Sequence, residues 1–177
     1  MVSKDKLNRL VDRGIISVQG GRPIIPAKSA AITGSALEGF SPVARHPWRY
    51  LPEIGAILFD FHHRLKSPGG LYHIIQRFRR QKLAANVSSP ACASETGRAC
   101  ELARQFTGLR PGIPINTICL LDSLAMFEYL RRRNIWPTLV FGISQRPFSA
   151  HCWVQLDGTV LNDAVGYVRS RTTILTV

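Results

Sequence analysis

The chain has 177 residues, 45% of them hydrophobic, and a formal net charge of +12. That length buries roughly 70% of the unfolded surface, enough for one core with an appendage, and no apolar run approaches the ~18 residues of a membrane span. The four cysteines (Cys92, Cys100, Cys119, Cys152) make no CxxC pair, and the N-terminus MVSKDKLNRLVDRG has no signal-peptide core; a disulfide framework and a zinc site are disfavoured, and a cytoplasmic location without membrane association is expected.

Residues 4–16 predict a short amphipathic helix with Leu7, Leu10 and Val11 on one side and Gly14 as its stop. Ile15–Val18 and Pro23–Ile25 flank Gln19-Gly20-Gly21-Arg22, a hairpin pattern, so residues 1–26 form one small helix-plus-hairpin unit. Residues 27–44 are small and polar and predict a linker, with the main domain spanning 45–177. Two helices are expected over Ile54–Leu65 and Gly70–Leu83, separated by Ser67-Pro68-Gly69. His62 and His63 lie on the first helix without a carboxylate or cysteine at ligand spacing, so no metal site is assigned.

The densest basic run, Arg77, Arg79, Arg80 and Lys82, alternates with Ile74, Ile75 and Phe78. Its first reading is a solvated helical face, and its second is a dock for an acidic partner. Nucleic acid comes last, since no zinc-finger or RNP motif accompanies the charge. Ser94 and Glu95 then cap a third helix that runs to about Phe106.

Pro111-Gly112-Ile113-Pro114 forbids helix, and Asn116 or Thr117 offers a cap for a fourth helix carrying Ile118, Leu121, Leu124 and Ala125 at helical spacing. Cys119 sits in its first turn, where unpaired N–H groups and the helix dipole favour a thiolate. Arg131–Arg133 fall in the last turn, where positive charge complements the dipole. A strand, TLVFGIS, follows, and then SAHCWVQLDGTVLND, a hairpin around Asp157-Gly158. His151 starts one arm and Asp163 ends the other; with Cys119 they supply a base, an orienter and a nucleophile from three elements. Cys152 points away from His151 by the period-two rule, while Trp153 shares its face, with core packing as its main role.

The hairpin admits two registers. A two-residue loop, Asp157-Gly158, sets His151 opposite Ala164 and turns Asp163 to the other face; a three-residue loop, Leu156-Asp157-Gly158, with Gly158 at positive φ, sets His151 opposite Asp163. The turn chemistry allows both. A partnership of His151 with Asp163 predicts the second.

Cys119-Leu120 opening a helix, then LRRRNIWPTLVFGI and then QRPFSAHCWVQLDGTVLND, together resemble the lasso-peptide leader peptidases, the B proteins of lasso-peptide maturation, tightly from Thr117 to Asp163 and loosely back to Trp48. The resemblance implies an α+β fold of the transglutaminase-like, papain-like kind, with helices packed on a small antiparallel sheet. It implies Cys119 as nucleophile, His151 as base and Asp163 as orienter of a cysteine endopeptidase that removes the leader of a ribosomally made precursor. The implied partners are that precursor and an asparagine-synthetase-like cyclase. ATP belongs to the cyclase, and the peptidase itself needs no cofactor.

By the same resemblance, residues 1–26 match the tail of a winged-helix leader-recognition module, whose earlier parts have no room before Met1. The expectation is therefore a truncated module, recognition by a separate protein, or a packing appendage. Two other functions suit the same residues: a transglutaminase-like acyltransferase and a non-catalytic leader-binding scaffold.

Overall fold

Apolar residues three and four apart become four long helices in the computed structural model, which describes residues 30–38, 47–86 and 91–177. The helix-plus-hairpin expected over 1–26 lies outside the described residues. Helix α1 (Leu51–Leu65) is entered through a 3-10 turn at Pro47–Tyr50 and buries Ile54, Ile57, Leu58 and Phe61. Helix α2 (Gly70–Ala84) buries Ile74, Ile75 and Phe78, and α3 (Ala93–Leu109) buries Ala99, Ala103, Phe106 and Leu109. Helix α4 (Cys119–Arg131) runs through the middle, with every residue from Ser123 to Leu130 buried along with Leu121. Phe78 of α2 stacks on Phe127 of α4 at 4.2 Å between centroids and meets Phe61 of α1 edge-on at 5.9 Å. These aromatic pairs add specific geometry to area burial.

The polar residues near the end of α4 are largely buried in ion pairs. Glu128 is only 5% exposed, and Arg77, Arg131 and Arg132 converge on it. Burial pushes its carboxyl up, but hydrogen bonds from Arg131 and Arg132 outweigh that and hold it below its ordinary value. Arg133 forks onto Glu53 of α1, with Nη2 2.7 Å from Oε2. The arginine run is thus an ion-pair network that ties α4 to α1 and α2. Arg77 belongs to it, so the basic run on α2 is not a wholly solvated face.

A five-stranded sheet packs on the helices in the order β1–β4–β3–β2–β5, made of β1 (Gly34–Ser35), β2 (Thr138–Gln145), β3 (Phe148–Leu156), β4 (Thr159–Val160) and β5 (Thr172–Thr176). The architecture is α+β, as expected, and all strand pairs are antiparallel except β1 with β4, which is parallel. One face of the sheet, with Leu139, Cys152 and Val154, joins the helical core. The other buries Val140, Trp153 and Val160 against Val168 of a short helix α5 (Val165–Arg169) and against Ile32.

In place of an expected linker, residues 30–38 dock along β4. Thr33 N donates to Gly158 O at 2.8 Å, Ala36 N donates to Val160 O at 2.7 Å, and Ala36 is 1% exposed. Arg104 of α3 holds the carbonyl of Ala36 at 2.6 Å, and Gln155 of β3 reaches the carbonyl of Ala30 at 2.9 Å.

The β3–β4 hairpin takes the shorter loop. Gln155 pairs with Val160 and Leu156 with Thr159, so Asp157-Gly158 is a two-residue turn, and the three-residue loop expected from the His151–Asp163 partnership is not formed. The positive φ falls on Asp157, at 47°, and not on Gly158. Gly158 is required for a different reason: a Cβ there would stand 2.6 Å from Thr33 Oγ1 and 2.9 Å from the carbonyl of Ala31. Gly158→Val should therefore push residues 31–33 off the sheet edge. The expected loss is about 1–3 kcal/mol, typical of overpacking, read as a lower midpoint in thermal denaturation.

Candidate active site

The loop from Arg110 to Thr117 delivers Cys119. Arg110 is 7% exposed and spreads its guanidinium over the loop: Nη1 donates to Ile113 O at 3.3 Å, and Nη2 to Ile115 O at 2.9 Å and Asn116 O at 3.2 Å. Its Nε donates to Asp122 Oδ1 at 2.7 Å, which fastens the loop to the first turn of α4. Burial lifts the Asp122 carboxyl above its ordinary value, although the bond and charge of Arg110 oppose the shift. A buried pair of this kind costs more to break than to replace. Arg110→Met should lower stability by about 3–5 kcal/mol, and Arg110→Met with Asp122→Leu should regain most of it, as read by urea denaturation of both variants.

The residue capping α4 is Ile118, in extended geometry and with no side-chain hydrogen bond, in place of the expected Asn116 or Thr117. The first-turn N–H groups are therefore not occupied by a capping oxygen. Cys119 is exposed at this end, beside an open groove of about 440 Å3 lined by residues 110, 111 and 113–117.

His151 lies on β3 opposite Gly142 of β2. A Cβ at Gly142 would come 2.7 Å from the Trp153 ring, so this glycine makes room for Trp153 beneath the histidine. Trp153 is 1% exposed and lies nearly parallel to the imidazole, 6.2 Å away between centroids. Tyr167 of α5 meets the imidazole edge-on at 4.9 Å, and the Arg171 guanidinium covers the Tyr167 ring at 4.2 Å. Cys152 is buried in the core and points away from the site, consistent with strand alternation.

Asp163 reaches His151 in spite of the two-residue turn. Continued regular pairing would have put Asp163 on the far face of the sheet, but the chain leaves the ladder. Leu161 N still donates to Val154 O at 2.8 Å, while Val154 N donates to the side chain of Asn162, Oδ1, at 2.8 Å. Asn162 Nδ2 then donates to Ser123 Oγ at 2.8 Å, and Ser123 Oγ donates to Cys152 O at 2.8 Å. This relay ties the cysteine-bearing helix, the histidine strand and the Asp163 bend together. Past the bend, Asp163 Oδ2 is hydrogen-bonded to His151 Nε2, and Oδ1 accepts from Ala164 N at 2.8 Å. With Nε2 engaged, Nδ1 is the ring nitrogen left for the thiol.

Three charges set the electrostatics. The hydrogen bond to His151 is the largest influence on the Cys119 thiol and brings it below its ordinary value against the effect of burial; backbone N–H groups of Cys152 and Leu120 help. His151 is pushed up to about 9, first by its bond to Asp163 and then by its bond to Cys119. A lowered thiol beside a raised imidazole favours a thiolate–imidazolium pair, which joins a nucleophile to a proton donor. Among the described residues, no group of three or more His, Cys, Asp or Glu is placed to hold a metal ion, and no helix is long and apolar enough to cross a membrane. Sequence reasoning did not reach Arg110, Asn162 or Ser123 as supports. Asn162 was visible only as the polar residue before Asp163, and nothing in the pattern marked the other two.

The profile of the transglutaminase-like superfamily matches residues 56–176, a span that contains Cys119, His151 and Asp163. A stretch of 46 residues is 46% identical to the microcin J25-processing protein McjB of Escherichia coli, covering 26% of this chain. The matched stretch spans 22% of the length of that protein. No solved structure matches.

Proposed function

The chain belongs to the transglutaminase-like superfamily, and from that premise we propose that it is a cysteine endopeptidase that removes the leader from a precursor peptide in lasso-peptide maturation. What supports the proposal is the hydrogen bond of His151 Nε2 to Asp163 Oδ2, together with the pull of the same imidazole that brings the Cys119 thiol below its ordinary value. The partial identity to a microcin-processing protein supports the choice of substrate class.

In this reading the Cys119 thiolate attacks the scissile carbonyl carbon. The developing oxyanion is met by backbone N–H groups at the uncapped start of α4. His151, as imidazolium, passes its proton to the leaving amine as the C–N bond breaks, which leaves a thioester on Cys119. A water then gives a proton to His151 and attacks the thioester, releasing the carboxylate product and restoring the thiol. Asp163 keeps the ring oriented and stabilises its positive charge through both halves. None of these steps calls on a cofactor. The precursor is the substrate and an asparagine-synthetase-like cyclase is the partner that closes the ring.

The test is mass spectrometry of a lasso precursor incubated with the purified chain, alone and with cyclase and ATP. The expected result is a leader fragment and a core fragment separated by one hydrolysed bond. With a primary amine added, an uncleaved precursor in which a glutamine side chain has lost ammonia and gained that amine would assign the same triad to acyl transfer. An intact, unmodified precursor retained by the protein would point to a binding scaffold.

A further inference from the structure

Asp163 is held on one side by β3 and on the other by a segment that lies outside residues 56–176, the span matched to the superfamily. On that outer side Ser35 Oγ donates to the main-chain carbonyl of Asp163 at 2.6 Å, and Ser35 Oγ is itself fixed by Leu37 N at 3.1 Å. Two residues further on, Glu38 Oε1 accepts from Val165 N at 3.0 Å. The stretch from Asp163 to Val165 is thus bracketed at both ends by residues 35–38. This matters because regular strand pairing ends at Val160. Beyond that point no ladder sets the direction of Asp163, and the ladder's own register points the wrong way. Side-chain bonds have to supply the position.

We propose that residues 34–38 belong to the catalytic unit, with Ser35 and Glu38 as positioning residues that hold Asp163 against His151. The proposal rests on the reading of Cys119, His151 and Asp163 as one unit, and it adds to that reading a part which composition marks only as linker. The segment is anchored independently of the site, by Ala36 N on Val160 O and by Arg104 on the Ala36 carbonyl. Ser35 therefore pulls on Asp163 from a fixed base. An edge strand that was merely covering the sheet would need only its main-chain bonds to β4. The hydroxyl of Ser35 and the carboxylate of Glu38 both bypass β4 and go to the residues after it.

The test uses the full chain and the protonation of His151, followed by NMR of its imidazole as pH is raised. The ring is faced by Asp163, by Cys119 and by Tyr167 with Arg171 behind it, and of these Asp163 makes the largest contribution to its raised pKa. Loosening Asp163 must lower the His151 midpoint. In Ser35→Ala/Glu38→Ala that midpoint should fall by about 0.5–1 pH unit, while Ser35→Thr, which keeps the hydroxyl, should titrate as wild type. Should the double variant not fold, Ser35→Ala alone carries the same test with one hydroxyl removed. A folded variant lacking these groups with the wild-type His151 midpoint would overturn the proposal. The titration requires no substrate, so it reports on the strap even in a chain that cleaves no leader.

Discussion

Cys119→Ala should yield a folded protein whose cleavage of a lasso precursor is lower by about ten-thousandfold or more, the scale seen when a covalent nucleophile is lost. The thiol is exposed at a helix start, so its removal opens no cavity in the core, and thermal denaturation should give a midpoint near that of wild type. His151→Ala should lose a similar factor, because without the imidazole the thiol is no longer held below its ordinary value and the leaving amine has no proton donor. The double variant should be no worse than either single one, since groups that act as one unit are not additive. Residual cleavage is measured by quantitative mass spectrometry of product against time. A multiplied loss in the double variant would mean that the two residues act separately, and wild-type rates from folded Cys119→Ala would end the nucleophile assignment.

The parts of the fold that could be read in advance are those with a period. Ile54, Ile57, Leu58 and Phe61 recur at helical spacing and form the buried side of α1. In the same way, the alternation around Cys152 and Trp153 separates the two faces of β3. Strand β5 (Thr172–Thr176) was not anticipated, because TTILT shows little contrast between faces and its place is set by pairing with β2 across a register shift at Phe141/Gly142. The five-residue α5 is too short to show a helical period. Residues 30–38 read as linker since β1 is only Gly34 and Ser35, held mostly through main-chain groups that every residue carries.

The candidate site divides in the same way. Cys119 could be placed at a helix start from the proline loop before it, and His151 on a strand from its apolar neighbours. The route of Asp163 was out of reach, because it depends on where a ladder stops. The expected three-residue loop treated register as the only way for Asp163 to face His151. The structure ends the ladder early and lets Asn162 take the bond from Val154 N that regular pairing would have used. A side chain that replaces a backbone acceptor has no signature in hydrophobic pattern. Arg110 is hidden for a related reason: its partners are mainly carbonyl oxygens, which any sequence supplies.

The pH dependence of cleavage follows from the two opposed shifts and isolates the role of Asp163. The reactive pair needs Cys119 deprotonated and His151 protonated, so the rate should rise as pH passes the lowered thiol pKa and fall as pH passes about 9, where His151 loses its proton. Asp163→Asn keeps a hydrogen-bonding amide near the ring but removes the charge, and the Asp163 bond is the largest cause of the raised imidazole. The alkaline limb of kcat/KM should then move to lower pH, toward the ordinary histidine value of 6.5, and the plateau should narrow. Stability changes with the same sign. A raised histidine adds stability that is fully present below 6.5 and is lost as pH rises through about 9. Wild type should accordingly lose more stability over that interval than Asp163→Asn does. The loss in rate near neutral pH should be smaller than for His151→Ala, because the imidazole remains as proton donor. Kinetics and urea denaturation across the alkaline range check both statements together, and an alkaline limb that stays in place in Asp163→Asn would remove Asp163 from the proton-holding role.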